Sequence, residues 1–152
     1  MTASLRGIGV GSWLNLEHYE LGIPGWDGQI RRALSERCPG FMDRFIRGFF
    51  TEADASYLVS LGLKFIRVPV NHHLFWDEET NTWLEYGFSL IRHLGEICEH
   101  AGLYFLLDMH TAPGGQNPRT GTVNAEPDSR NSGIIRSSGI FQQKCSGELP
   151  RN

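Results

Sequence analysis

Little in this chain supports several common functional classes. Cysteine is scarce: Cys38, Cys98 and Cys145 are an odd, widely spaced set with no Cys-x-x-Cys pair and no regular histidine spacing around them. Neither a disulfide framework nor a cysteine-based zinc module is indicated. Long apolar runs are also lacking. The longest, Leu103 to Leu107, is far below the roughly 18 residues that a membrane span needs. Basic residues are not in excess, since 14 Lys and Arg face 17 Asp and Glu for a formal charge of −3. That balance gives no electrostatic footprint for nucleic acid or an anionic membrane. After Met1 there is no charged n-region, apolar core or small-residue cleavage site, so the chain as given is expected to stay inside the cell.

What is present is unevenly distributed. Of 17 aromatic residues, 16 lie at or before Phe105, and only Phe141 follows. Residues 111–152 carry five basic and three acidic groups, whereas residues 1–110 hold a net −5. The stretch Asn124 to Gly139 is rich in Ser, Arg, Asn and Gly without apolar periodicity, the composition of a segment that does not order by itself. We therefore divide the chain into residues 1–117, which hold the material for a core, and an irregular tail, 118–152.

Within the first part strands and helices alternate. Leu5 to Trp13 is a short glycine-punctuated apolar run read as the first strand, its glycines implying close backbone approach. Turn signals at Pro24-Gly25 and Pro39-Gly40 bracket short helices around Gln29 to Glu36 and Phe41 to Arg47. Thr51, with Glu52 and Asp54 in the first turn, is read as an N-cap; that helix runs to Leu61, with Gly62 beyond it. Leu63 to Val70 reads as a strand buried on both faces except at Lys64 and Arg67. Leu84, Phe88, Ile91, Leu94 and Cys98 trace a helix ending at His100 before Gly102, and Leu103 to His110 is a further buried strand. This order implies right-handed parallel βαβ units in an α/β fold. A Gly-x-Gly-x-x-Gly turn, the mark of a dinucleotide-binding fold, is absent.

In parallel barrels chemistry sits where strands end, and the polar residues fall there: Asn15 and Glu17 after the first strand, Arg67 near the end of the second, Asp108 and His110 at the end of the third. Period 2 puts Asp108 and His110 on one face, and a guanidinium on a buried strand needs a partner, usually a carboxylate. Each has a plainer reading beside it: Arg67 as a scaffold ion pair, His110 as a satisfied strand-end histidine, Asp108 as a supporting or capping group. Trp13, Trp26, Trp76 and Trp83 read equally as sugar platforms or as packing. His18 carries no argument. His72 and His73, near Asn71 and Asp77, show neither an i, i+4 pair nor a third ligand, so no metal site and no cofactor are expected.

Three strings in order, Gly9-Val-Gly-Ser-Trp13-Leu-Asn-Leu-Glu17, Leu61-Gly-Leu-Lys-Phe-Ile-Arg67-Val-Pro69 and Gly102-Leu-Tyr-Phe-Leu-Leu-Asp108-Met-His110-Thr-Ala-Pro113-Gly-Gly-Gln-Asn117, resemble glycoside hydrolase family 5, the cellulase and exo-β-glucanase type. The resemblance covers residues 5–117. It implies a (β/α)8 barrel, of which the first three strands are present, and retaining hydrolysis of O-glycosyl bonds in β-glucan-like polysaccharides. An oligo- or polysaccharide is then the partner. By the same resemblance Arg67 holds the nucleophilic carboxylate ionised, His110 lines the −1 subsite, Glu17 binds hydroxyls of the terminal sugar, and Trp13 and Asn117 contribute to substrate binding. The family's two catalytic glutamates come from strands four and seven, which lie past this region. Asn124-Ala-Glu126-Pro127 imitates the strand-four motif, but it starts only 14 residues after His110 and no apolar strand precedes it. The expectation is an incomplete barrel without its own catalytic pair, from a truncated coding sequence, and only marginally stable. A non-catalytic fragment with weak sugar binding, or another βα enzyme, stands as the alternative.

Overall fold

A computed structural model describes residues 5–111, together with the backbone of Phe141–Gln143. Three parallel strands form the framework: β1 (Gly7–Gly9), β2 (Phe65–Asn71) and β5 (Tyr104–Thr111), in the order β1-β2-β5. Arg67 stands opposite Gly9 on one side and Leu106 on the other, and the β2–β5 register shifts at Val70/Asn71. Between β1 and β2 come α1 (His18–Leu21), α2 (Asp27–Arg37), α3 (Phe41–Phe49) and α4 (Glu52–Ser60). A 3-10 turn (His72–Leu74), a two-stranded hairpin of β3 (Trp76–Asp77) and β4 (Thr82–Trp83), and α5 (Glu85–Ala101) join β2 to β5. This is the first part of a (β/α)8 barrel, as the motif order implied.

Local chemistry accounts for the helix ends. Thr51 Oγ1 accepts the Asp54 N–H while the Asp54 carboxylate accepts the Thr51 N–H at 2.8 Å, a reciprocal cap that starts α4 where the sequence placed it. Gly102, at φ 69°, ends α5 in the left-handed region and sends the chain into β5. Ile66, Val68 and Val70 of β2 and Phe105 of β5 meet Ala55 of α4 and Ile91, Leu94, Ile97 and Cys98 of α5 in one buried cluster. Helices thus cover one face of the sheet.

Among the described residues the other face is covered only in part: β2 is buried on both sides from Val68 to Asn71, as expected, whereas its start and most of β5 are not. Arg67 and Tyr104 are exposed, and Phe65, Leu106, Asp108 and His110 are only half-buried. The period-2 alternation was concealed in the sequence because Phe65 and Leu106 are apolar on the less covered side as well. The first strand is also shorter than read: pairing ends at Gly9, Ser12 takes φ 54°, and Leu14 rejoins the sheet through a bridge to Val70. At Gly7 a Cβ would meet the Phe65 ring at 2.6 Å, the close approach that the glycines suggested. The hairpin at Trp76 to Trp83 was not foreseen. In the region read as an irregular tail, Phe141–Gln143 forms β6, antiparallel to β5 with Leu106 opposite Gln142; the rest of 118–152 lies outside the described residues. No helix among the described residues is long and apolar enough to cross a membrane.

Candidate functional site

The polar residues expected at strand ends converge, although Arg67 is the third of seven residues in β2 and Asp108 the fifth of eight in β5. Arg67 on β2 donates from its guanidinium to Asp108 on β5 and lies 3.3 Å from His110 Nδ1, and His110 Nδ1 is 2.9 Å from Asp108 Oδ2. A proton on Nδ1 is best placed to be donated to Asp108, which turns Nε2 toward Glu17, 3.7 Å away. Glu17 follows the β1 segment, so three consecutive strands each supply one part of a continuous row, Glu17–His110–Asp108–Arg67. It opens to solvent on the less covered face: the Arg67 side chain is 44% exposed and His110 34%, whereas Glu17 is 13% exposed. With that much water around the guanidinium, the Arg67–Asp108 pair is worth less than about 1 kcal/mol and orients more than it stabilises.

Glu17 is held from behind. Asn15 Nδ2 donates to its Oε1 at 3.4 Å, and hydrogen bonding to Glu17 keeps the Tyr19 phenol protonated, pushing its pKa up to about 12. The segment itself is anchored by Asp27 at the first position of α2. Its Oδ1 accepts the Leu16 N–H at 2.7 Å and its Oδ2 pairs with Arg31 Nε at 2.7 Å. Asp27 was not singled out in the sequence, because its partner Leu16 lies eleven residues earlier and in no local motif.

Trp13 requires a correction. Expected at the sugar, it is 4% exposed, donates its indole N–H to the Ile46 carbonyl at 2.8 Å and stacks on Phe49 at 6.0 Å. It packs α3 against the strand ends and presents no free surface to a ligand. Trp83, by contrast, is 70% exposed and sits edge-on to Trp76 at 4.9 Å across the hairpin. Asn117 lies outside the described residues.

Beyond β2 lies a second cluster that sequence reasoning passed over for want of a third ligand. His72 and His73 stand ring against ring at 4.0 Å between centroids, and Glu78 comes round the β3 turn to place Oε1 3.0 Å from His72 Nε2. Burial, and then the neighbouring His73, push the His72 pKa down despite Glu78. The three residues border a cleft of about 410 Å³ that Trp26 and Trp76 also line. The spacing of Glu78 from the histidines carries no recognisable signal; only the closure of the turn brings it in.

No family model matches the chain. Among curated proteins, a β-xylosidase from Phanerodontia chrysosporium is 44% identical over 119 residues, covering 74% of this chain and 25% of its own length. A glucan 1,3-β-glucosidase from Lachancea kluyveri is 28% identical over 133 residues, 76% of this chain and 30% of the relative. A probable glucan endo-1,6-β-glucosidase B from Aspergillus fumigatus is 35% identical over 74 residues, 47% of this chain and 19% of the relative. The chain thus spans less than a third of the length of each of these relatives. In structure it is similar to the rutinosidase from Aspergillus niger, with a TM-score of 0.63 at 19% identity, over 82% of this chain and 38% of that one. Over about three quarters of its length, the chain is therefore similar in sequence to part of proteins named as a β-xylosidase and a glucan 1,3-β-glucosidase.

Proposed function

We propose that this chain carries the substrate-orienting part of a β-glycosidase site of the family 5 type, and that it binds a β-linked glucan oligosaccharide without hydrolysing it. The observation that carries the reading is the row Glu17–His110–Asp108–Arg67 that runs across the three neighbouring strand segments. Its carboxylates, imidazole and guanidinium offer both acceptors and a donor to the vicinal hydroxyls of one sugar ring, and His110 lies near the C-terminal end of β5, the end of the strands at which barrel enzymes do their chemistry.

Retaining hydrolysis needs two carboxyl groups about 5 Å apart, one free to give a proton and one free to attack. Neither carboxylate of this row is free in that sense. Asp108 is held by Arg67 and His110, and Glu17 by Asn15 and Tyr19. Arg67, which the resemblance assigns to a nucleophile, is here bound to Asp108. The row can therefore position a sugar and polarise its hydroxyls, while the bond-breaking pair has to come from elsewhere.

The identity to a β-xylosidase favours xylo-oligosaccharides as a second ligand class, and one experiment covers both. The full chain is titrated with laminari- and xylo-oligosaccharides by saturation-transfer NMR, in parallel with aryl β-glucoside and aryl β-xyloside hydrolysis. Millimolar binding that weakens several-fold in Glu17→Ala, with no sugar released, is expected. Absence of binding to either series overturns the binding role, and turnover above background overturns the division of labour.

A further inference from the structure

We propose that His72, His73 and Glu78 form a binding site for a zinc-type divalent cation, with three protein ligands and a fourth position open to the adjoining cleft. The site is separate from the Glu17–Arg67 row and does not depend on the glycosidase reading.

One ligand atom from each of the three residues lies within 4.8 Å of the other two. A tetrahedral ion with nitrogen and oxygen ligands at 2.0–2.2 Å sets neighbouring ligand atoms about 3.4 Å apart. The His72 Nε2 to Glu78 Oε1 distance of 3.0 Å is already close to that, and the remaining closure of at most about 1.4 Å is within the reach of two side chains at the edge of a cleft. Two imidazoles and one carboxylate are a donor set that selects zinc-type ions over magnesium or calcium, which prefer oxygen alone.

The surroundings hold these ligands in place. The Asn71 side chain accepts the His73 N–H at 3.0 Å and fixes the turn that sets the two histidines side by side. Thr111, on β5, accepts the His72 N–H through Oγ1 at 3.3 Å, and the same hydroxyl stands 3.5 Å from His72 Nδ1, the nitrogen that would not face the ion. A partner on that second nitrogen is how metal-binding histidines are commonly oriented. Asp77 Oδ1 accepts the Glu79 N–H at 2.9 Å and the Thr80 N–H at 3.3 Å, closing the turn that carries Glu78 back over the histidines. His72 is buried and Glu78 about half exposed, so the cluster has a fixed inner ligand and an outer one that can adjust. Among the charged groups on the cleft wall Asp77, Glu78 and Glu79 face Arg31 and Arg32, and Arg31 is already engaged by Asp27.

The test uses the full, tag-free chain after chelator treatment, titrated with zinc chloride by calorimetry and with cobalt chloride by visible absorption. One equivalent of zinc is expected to bind with a dissociation constant in the micromolar range, and cobalt to give the intense visible bands of a four-coordinate ion. Glu78→Gln, at an exposed position that leaves the fold intact, and His73→Gln are each expected to weaken zinc binding at least tenfold, with far-ultraviolet circular dichroism unchanged. No zinc uptake up to 1 mM, or equal affinity in both variants and the parent, overturns the proposal. So does a weak, six-coordinate cobalt spectrum, which marks solvated carboxylates only.

Discussion

Asp27 offers the sharpest test of how the loop bearing Glu17 is held. The carboxylate is 3% exposed and serves two partners at once, the Leu16 N–H and the Arg31 guanidinium, both at 2.7 Å. It also stands at the first position of α2, where a negative charge meets the positive end of the helix. Asp27→Ala removes all three terms. An orphaned buried N–H costs about 1–3 kcal/mol, and a largely buried Arg31, whose side chain is 18% exposed and whose Nη2 already has no partner, adds the penalty of an unpaired charge. Together a loss of about 3–5 kcal/mol is expected, the range for breaking one side of a buried pair. Asp27→Asn keeps an acceptor for Leu16 and gives up the charge, so about 1–2 kcal/mol is expected there. Urea unfolding followed by circular dichroism measures both, with the midpoint falling at constant slope. The ranking is what matters. If alanine and asparagine cost the same, the Leu16 hydrogen bond contributes nothing, and if both stay within about 0.5 kcal/mol of the parent, the anchoring role is wrong.

Two further outcomes follow from the packing and the charges. Gly87 of α5 lies against the turn after β2, where an added Cβ would stand 2.2 Å from the Leu74 carbonyl oxygen; Gly87→Ala is thus expected to destabilise by about 1–3 kcal/mol in a melting experiment, although the same change in an open helix gains about 1 kcal/mol. His100, at the end of α5, has its pKa raised chiefly by the hydrogen bond to Glu52 at 3.0 Å. Its contribution is fully present below the unfolded value near 6.5 and lost as pH rises through the higher folded value. An NMR titration is expected to place the His100 midpoint above 6.5 in the parent and lower in Glu52→Gln.

The legible parts of this molecule are those whose cause is local. Thr51 and Asp54 form their cap within one turn, Gly102 ends α5 where the periodicity stops, and Asp108 and His110 share a face of β5 because strand period is written in the string, whereas β2 runs on to Asn71 and leaves Arg67 within the strand rather than at its end. What was misread depends on distant partners. Trp13 is a core residue because the Ile46 carbonyl, 33 positions later, takes its N–H. Arg67 is exposed because nothing among the described residues covers the start of β2 on the face it points from, a fact about neighbours that apolar residues on both sides of β2 conceal. Glu78 joins the histidines only through the Asp77 turn. The motif order supplied the fold; the engagement of both carboxylates in the row became visible only in the geometry.

Asn71 links the two sites. It is fully buried at the register shift between β2 and β5. Its oxygen accepts the His73 N–H at 3.0 Å, and its amide donates to Asn15 Oδ1 at 3.5 Å, while the Asn15 amide in turn donates to Glu17 at 3.4 Å. One side chain therefore supports the histidine turn directly and Glu17 through one intermediary. Asn71→Ala should cost about 2 kcal/mol, since the shorter bond is worth about 1 kcal/mol, the longer one less, and a small cavity adds the remainder. Its diagnostic effect is double. Zinc affinity and oligosaccharide affinity should both fall, the first by more because its hydrogen bond is shorter and direct. Glu78→Gln should lower only the first, and Glu17→Gln only the second. If Asn71→Ala leaves either affinity unchanged in protein that remains folded, the network does not join the sites, and the shared residue is packing between two independent clusters.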